Sequence, residues 1–357
     1  MSEEIAGLDS AQLKYKTQLY APSWIDRFTA GVERLPGPCW LYYLGIGLVL
    51  LVSLSIALWV EGVFPTGTIL PVHLFLTGVF AFFLAMFYYL DEWAGSALAT
   101  LRPDLTVDKN EYYALQFQFT TLPALPTLLA SFIMLTLAFL TEAIGEPYHM
   151  EALYAFPIST NLLRIMYFGC WWLFGAFFYH TVHQLRLINH VYTHHTDINL
   201  FRMRPFYAFS NLSAFTAGSL AMIIYGFLLV NPAWDRSDPV ILFWIFVFLI
   251  SALVTFVWPQ LGMHRLQVAE QDRLVDEAYV RLEAIIAELH RQLDNGEFRE
   301  MEAMNYAIAS LEIELNTLKR IRTWPWEPET LQLLITALAL PLGLWILQLI
   351  LERMLGP

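Results

Sequence analysis

Seven stretches of this chain contain no Asp, Glu, Lys or Arg and are each long enough to cross a bilayer: residues 35–60, 62–90, 112–141, 165–185, 205–234, 239–264 and 330–351. A helix needs about 20 apolar residues to span the hydrocarbon core. Lipid offers no partner to a backbone amide, so a spanning segment must satisfy its own hydrogen bonds as a helix or close into a barrel. Barrel strands would alternate in polarity over about 10 residues, and these runs, rich in Leu, Phe, Ile and Ala, do not. The sequence therefore predicts an all-α, polytopic membrane bundle of seven transmembrane helices. Composition agrees: 15% of residues are charged, against about 25% in soluble domains.

The net charge of −12 and the lack of any long basic run argue against a nucleic-acid partner. Cys39 and Cys170 both lie inside apolar runs, so buried thiols are expected rather than a disulfide framework. The basic residues set an orientation. With the N-terminus in the cytoplasm, 17 of the 20 Lys and Arg fall on the inner side, leaving Arg164, Arg236 and Arg353 outside. That is the bias of the positive-inside rule, and it places the C-terminus outside. Glu3 and Glu4 stand where a cleavable signal would be basic, so none is expected.

Four regions follow. Residues 1–34 form an N-terminal cytoplasmic segment, in which 8–34 mix Leu, Tyr, Trp and Phe with Lys and Arg, as an interfacial helix does. Residues 35–264 hold the first six spans. Residues 265–329 form a cytoplasmic portion, and 330–357 the seventh span with a short outer tail. In the cytoplasmic portion Leu282, Ile286, Leu289 and Leu293 step by four and three. Asp294-Asn295-Gly296 then signals a turn, with Gly placed to close a helix. A second series, Met301, Met304, Ile308, Leu311, Leu315 and Leu318, repeats the pattern of a coiled-coil seam. An antiparallel coiled-coil hairpin is expected, continuous with the sixth span. Met304, Ile308, Leu311, Leu315 and Leu318 are its expected seam between subunits, since two apolar stripes need a partner; the alternative is cover from inner loops of the same chain. Trp324-Pro325-Trp326-Glu327-Pro328 reads as an interfacial belt and a rigid elbow leading into the seventh span.

One constellation could carry chemistry. His180, His183, His190 and His194 fall within about 80° of one another on a helix, at the inner end of the fourth span. His195 and Asp197 can close the group from the next turn. Imidazoles suit Fe, Zn, Cu or Ni, so Fe or Zn is the candidate cofactor. The other reading, which is preferred, is a stripe of neutral imidazoles bonded to neighbouring backbone, with no metal. His180-x2-His183 followed by His190-x3-His194-His195 resembles the histidine boxes of membrane fatty-acid desaturases and sterol or fatty-acid hydroxylases. That resemblance implies a diiron-type oxygenase at the cytoplasmic ends of the helices. The family's last box, H-x2-HH, has no counterpart here.

In the seventh span, Pro341, Trp345, Gln348 and Glu352 share one face, so a pore lining is possible, with Glu352 giving an acidic ring in an oligomer. No nucleotide-binding fingerprint or voltage-sensor ladder is present. The whole plan resembles the seven-transmembrane ion channel superfamily that includes the insect odorant and gustatory receptors. The shared features are an inner N-terminus, a surface helix before the first span, long inner extensions of late helices and an end just past the seventh. The resemblance implies a tetramer lined by the seventh helix and held by the cytoplasmic base. An oligomeric channel or sensor is the first expectation, with membrane lipid and further copies of the chain as partners. The alternative is a metal-dependent oxygenase using the histidine stripe, and an enzymatic role belongs to that alternative alone.

Overall fold

The computed structural model describes residues 19–144, 156–196, 200–201, 204–230, 239–296 and 301–326, and residues 329, 331, 332, 335, 336, 339 and 343 beyond them. The described residues form an all-helical bundle, in the order α1 (Trp24–Glu33), α2 (Cys39–Val60), α3 (Pro71–Leu101), α4 (Lys109–Thr120), α5 (Ala124–Ile144), α6 (Pro157–His194), α7 (Arg204–Val230), α8 (Pro239–Asn295) and α9 (Met301–Arg320). Six of them, α2, α3 and α5 to α8, are long and apolar enough to cross a membrane. The chain is therefore a multi-pass membrane protein. The seventh apolar run lies mostly outside the described residues; those described within it are helical.

Local chemistry sets the helix ends. Pro71 and Pro157 open α3 and α6 at positions where a missing N–H costs nothing. The Glu61 carboxylate, just past α2, accepts from the first free amides of α6, Ile158 N (2.7 Å) and Ser159 N (2.8 Å). Desolvation pushes the Glu61 carboxyl up, but the Ser159 side chain and these two amides outweigh it and hold the group below the usual carboxylate range. Asp108 caps α4 through the Glu111 amide at 2.7 Å. Gly296 ends α8 with φ +71, as its place in the Asp294-Asn295-Gly296 turn led one to expect.

Two helices organise the packing. α3 meets α1, α2, α4, α6 and α7, and α6 meets α3, α5 and α8. Between α3 and α6 the core is aromatic: Phe83 faces Phe174 and Phe177, and Phe87 packs edge-on to Phe177. α5 comes close to α6 because residue 175 is glycine; a Cβ there would lie 2.5 Å from the Ala130 carbonyl oxygen. Small residues permit such approaches where lipid provides no hydrophobic drive. Val49, Ile133, Ile165, Met222 and Phe246 point outward from the bundle, as lipid-facing side chains should.

Three boundaries differ from the expectation. The third run does not form one helix: it breaks at Thr121, whose backbone is extended (φ −147, ψ 127), into α4 and α5. Pro123 accounts for the break: it lacks the N–H that would continue the helical ladder, and its ring disfavours a helical conformation at Leu122. The spanning part is then Ala124–Ala143, while α4 packs Tyr112, Tyr113, Leu115, Phe117 and Phe119 into the bundle. The second helix continues past Leu90 through Asp91 and Glu92 to Leu101. The N-terminal helix spans only Trp24–Glu33 among the described residues, and it buries Ile25, Thr29 and Val32 against the bundle.

The sixth span does continue without interruption: α8 is 57 residues long. α9 runs back along it in the opposite direction. His264 bonds the Thr323 carbonyl (3.0 Å), Gln271 bonds the Leu318 and Ile321 carbonyls at the end of α9, and Arg281 pairs with Glu314 (3.6 Å).

Candidate functional site

The break before Pro123 leaves backbone groups that need partners, and its neighbours supply them. His183 Nε2 donates to the Gln118 carbonyl (3.1 Å), and the Gln184 amide to that of Phe119 (3.5 Å). Tyr20 OH donates to Thr121 O (2.6 Å), and Ser23 N to Leu122 O (2.9 Å). The Leu122 amide donates to the Asp26 carboxylate at 3.0 Å. The segment leading into α1 is thus fastened across the break, with Pro22 bridged to Pro123.

Asp26 holds this junction through one oxygen. Its Oδ2 accepts from Ser23 N (2.9 Å), Ser23 Oγ (2.8 Å) and Leu122 N (3.0 Å). Burial pushes the Asp26 carboxyl up to about 6, and the negative charge of Asp91 adds to that, while the Ser23 and Leu122 bonds oppose it. Burial likewise raises Tyr20. On α3, Asp91 Oδ1 lies 2.8 Å from His180 Nε2 of α6. The His180 ring is fully buried between Phe87 and Phe177. Its Nδ1 has no hydrogen-bonding partner among the described residues. An ionisable pair inside a membrane bundle is a marker of function or of a costly structural lock. Charge-free runs do not reveal it, because Asp91 ends one of them; its signal in the sequence is the helical spacing of Leu90, Ala94, Ala97, Leu98 and Leu101, which carries the apolar face past Asp91.

The histidine stripe therefore divides. His180 and His183 are engaged separately, one with a carboxylate and one with a carbonyl. His190, His194 and His195 gather at the end of α6. The His190 ring lies 4.7 Å from that of His194 and 5.0 Å from that of His195. His190 Nε2 and His195 Nε2 are 3.3 Å apart. His194 Nδ1 bonds Thr193 Oγ1 (2.6 Å) and the His190 carbonyl (3.2 Å). Glu111 of α4 sits 3.7 Å from His195 Nδ1. Among the described residues no three His, Cys, Asp or Glu side chains converge as a metal centre. Asp197 lies outside the described residues, as do Pro341, Trp345, Gln348 and Glu352.

The expected subunit seam is occupied within the chain. Leu311, Leu315 and Leu318 are buried, and Met304 and Ile308 half-buried, on α9, whose chief neighbour is α8. On the part of α8 beyond residue 270 the buried positions are Ala278 and Gln292, with Leu282, Ile285 and Leu289 half-buried; Ile286 and Leu293 are exposed. Where the chain turns back toward the membrane, His264, Trp324, Trp326 and Phe256 form a continuous ring stack, with Trp324 3.9 Å from His264 and nearly parallel to it. No family of known proteins, no curated protein and no solved structure matches this chain.

Proposed function

We propose that the chain is a subunit of an oligomeric membrane channel or sensor. Its α8–α9 coiled-coil hairpin, in the cytoplasm by the bias of basic residues, forms the base, and the seventh span with Pro341, Trp345, Gln348 and Glu352 lines the pore. The observation that carries this reading is a second apolar row left open once α9 has closed on α8. Ile286 and Leu293 stand seven apart on α8, and Tyr306 and Ile313 do so on α9. All four are exposed, Tyr306 and Ile313 by about two thirds of their surface, whereas Tyr279, one heptad before Ile286, is met by Lys319 of α9. Residues seven apart share a helix face, and a row of them is the pattern of a helix-to-helix seam. Lipid does not explain their exposure, because α8 carries the Arg273–Glu270, Arg273–Glu277 and Arg291–Glu288 ion pairs of a water-facing surface, and Arg281 of α8 pairs with Glu314 of α9. A second copy of the chain supplies matching heptad rows.

The oxygenase alternative has less support: with His180 and His183 bonded elsewhere, the stripe does not act as one donor set. The test is the mass of the detergent-purified chain and its current in planar bilayers. Wild type is expected to be an oligomer, a tetramer by the channel resemblance, that conducts cations. Ile286→Asp with Ile313→Asp is expected to give single chains without current and with unchanged helix content, because neither side chain belongs to the closed α8–α9 seam. Burial of such side chains contributes about 1.5–3 kcal/mol each, enough for two charges to dissolve the contact. A monomeric wild type overturns the reading.

A further inference from the structure

The three histidines at the end of α6 are arranged for more than packing. His195 is fixed by backbone: its amide donates to Val191 O (3.0 Å), its carbonyl accepts from Thr106 N (2.8 Å), and Thr196 beside it is bridged to Leu105. The Thr196 hydroxyl also donates to Val191 O at 2.9 Å. The turn that presents the ring is therefore held against the segment linking α3 to α4. From that turn His195 Nε2 faces His190 Nε2 at 3.3 Å. That separation lets one ring donate to the other, but it is longer than the about 2.9–3.0 Å typical of N–H···O bonds. Two imidazole nitrogens on a tetrahedral zinc ion, each about 2.0–2.1 Å from the metal, stand about 3.3 Å from one another.

We propose that His190 and His195 form a two-imidazole site for a divalent transition-metal ion such as Zn2+, with Glu111 orienting the His195 ring. Imidazole is the ligand such ions prefer. Glu111 lies on the Nδ1 side of His195, 3.7 Å away, too far for a hydrogen bond but near enough for its charge to favour a proton on Nδ1, which leaves Nε2 free to bind. The site stands at the C-terminus of a 38-residue helix, whose dipole favours a cation. His190 is exposed and the side chain of His195 partly so, so an ion reaches the pair from solvent and water fills its remaining positions. His194 is turned aside, its Nδ1 held by the His190 carbonyl and Thr193. A bound ion would clamp the end of α6, through His195 and Glu111, to the start of α4. The site is independent of the channel reading, and its test needs no current.

Protein purified without a histidine tag is titrated with Zn2+ by calorimetry, and its thermal midpoint is followed with and without the ion. Wild type is expected to take up one Zn2+ per chain and to melt at a higher temperature in its presence. His190→Ala and His195→Ala are each expected to lose the saturable uptake and the thermal shift. Glu111→Gln is expected to weaken binding by about 10–100-fold, the range for a carboxylate behind a metal-bound histidine. His290→Ala, far along α8, should bind as wild type does. Because His190 is exposed, its alanine variant tests the site even if His195→Ala fails to fold. Absence of saturable uptake by wild type would mean that the two rings merely share a proton. That result, or uptake that survives His190→Ala, overturns the proposal.

Discussion

Along one face of α6 the same residue type meets two different surroundings. His180 and His183 are sealed between helices, and each has one defined partner: the Asp91 carboxylate and the Gln118 carbonyl. About two turns further on, His190, His194 and His195 meet one another in an open group, and beside them stands Glu111, whose side chain is about half exposed. Helical periodicity places all of these rings on one stripe, but what each ring does is decided by the element opposite. At the sealed end that element is α3, which supplies a charge, and the broken end of α4, which leaves carbonyls unserved. At the open end it is the α3–α4 link, Glu111 at the start of α4, and solvent. A sealed imidazole holds the bundle; an open one is available to a ligand. Substitutions at the two ends should therefore differ greatly in cost.

The largest effect is expected at Asp91. Asp91→Ala leaves His180, which has no exposed surface, with neither ring nitrogen partnered. Removing one member of a buried pair costs about 3–5 kcal/mol. The thermal midpoint in detergent should fall steeply, and Asp91→Leu combined with His180→Phe should recover most of the loss, since an apolar pair leaves no orphaned group. A small effect of Asp91→Ala would show that the sealed end is no tighter than the open one.

The next effect is a pH dependence at the junction above the sealed pair. The Asp26 carboxyl is raised from 3.8 to about 6 by burial and by Asp91. The folded chain therefore holds this proton more tightly than the unfolded chain. Its contribution to stability is fully present below about pH 4 and is lost as pH rises through 6, up to about 3 kcal/mol for a shift of this size. Asp26→Asn should remove that slope and make the chain more stable than wild type at pH 7. The amide oxygen can keep the bonds from Ser23 and Leu122, because all three reach a single oxygen. Thermal midpoints measured from pH 4 to 8 would read this directly, and a variant with the wild-type slope would assign the dependence to another group.

Much of this architecture was legible in the sequence, for reasons that also explain what was not. Six spans and the uninterrupted passage from the sixth into the hairpin region follow from long apolar runs and from a 3.6-residue period, both local properties. Gly296 marked the end of α8 because only its backbone conformation suits that turn. The break at Thr121–Pro123 had a visible cause in Pro123, but a search for charge-free runs does not register proline. On α8 two apolar rows lie side by side, and nothing local distinguishes the row that meets α9, with Ile285, from the outward row of Ile286 and Leu293. The same holds for the histidines. Their common face is a property of α6, whereas the partnership of His180 with Asp91 joins residues 89 positions apart and depends on how α3 crosses α6.

The smallest effect belongs to the open end, and it is the sharper check because it asks for almost nothing to happen. His190 and His194 are exposed, and their contacts are with one another, with His195, with Thr193 and with the backbone of their own helix. Water can replace each of those contacts. In metal-free buffer containing a chelator, His190→Ala with His194→Ala should change stability by no more than about 0.5 kcal/mol, the range for surface substitutions away from packed features. Combined with Asp91→Ala, the pair should simply add to its cost, since the two groups share no partner. His195 is left intact because its turn is fastened to residues 105–106 and its loss would mix packing with ligation. A drop of 1 kcal/mol or more in the double variant would mean that the open imidazoles hold α6 in place as the sealed ones do. The division of the stripe into a structural half and a ligand-accessible half would then be wrong.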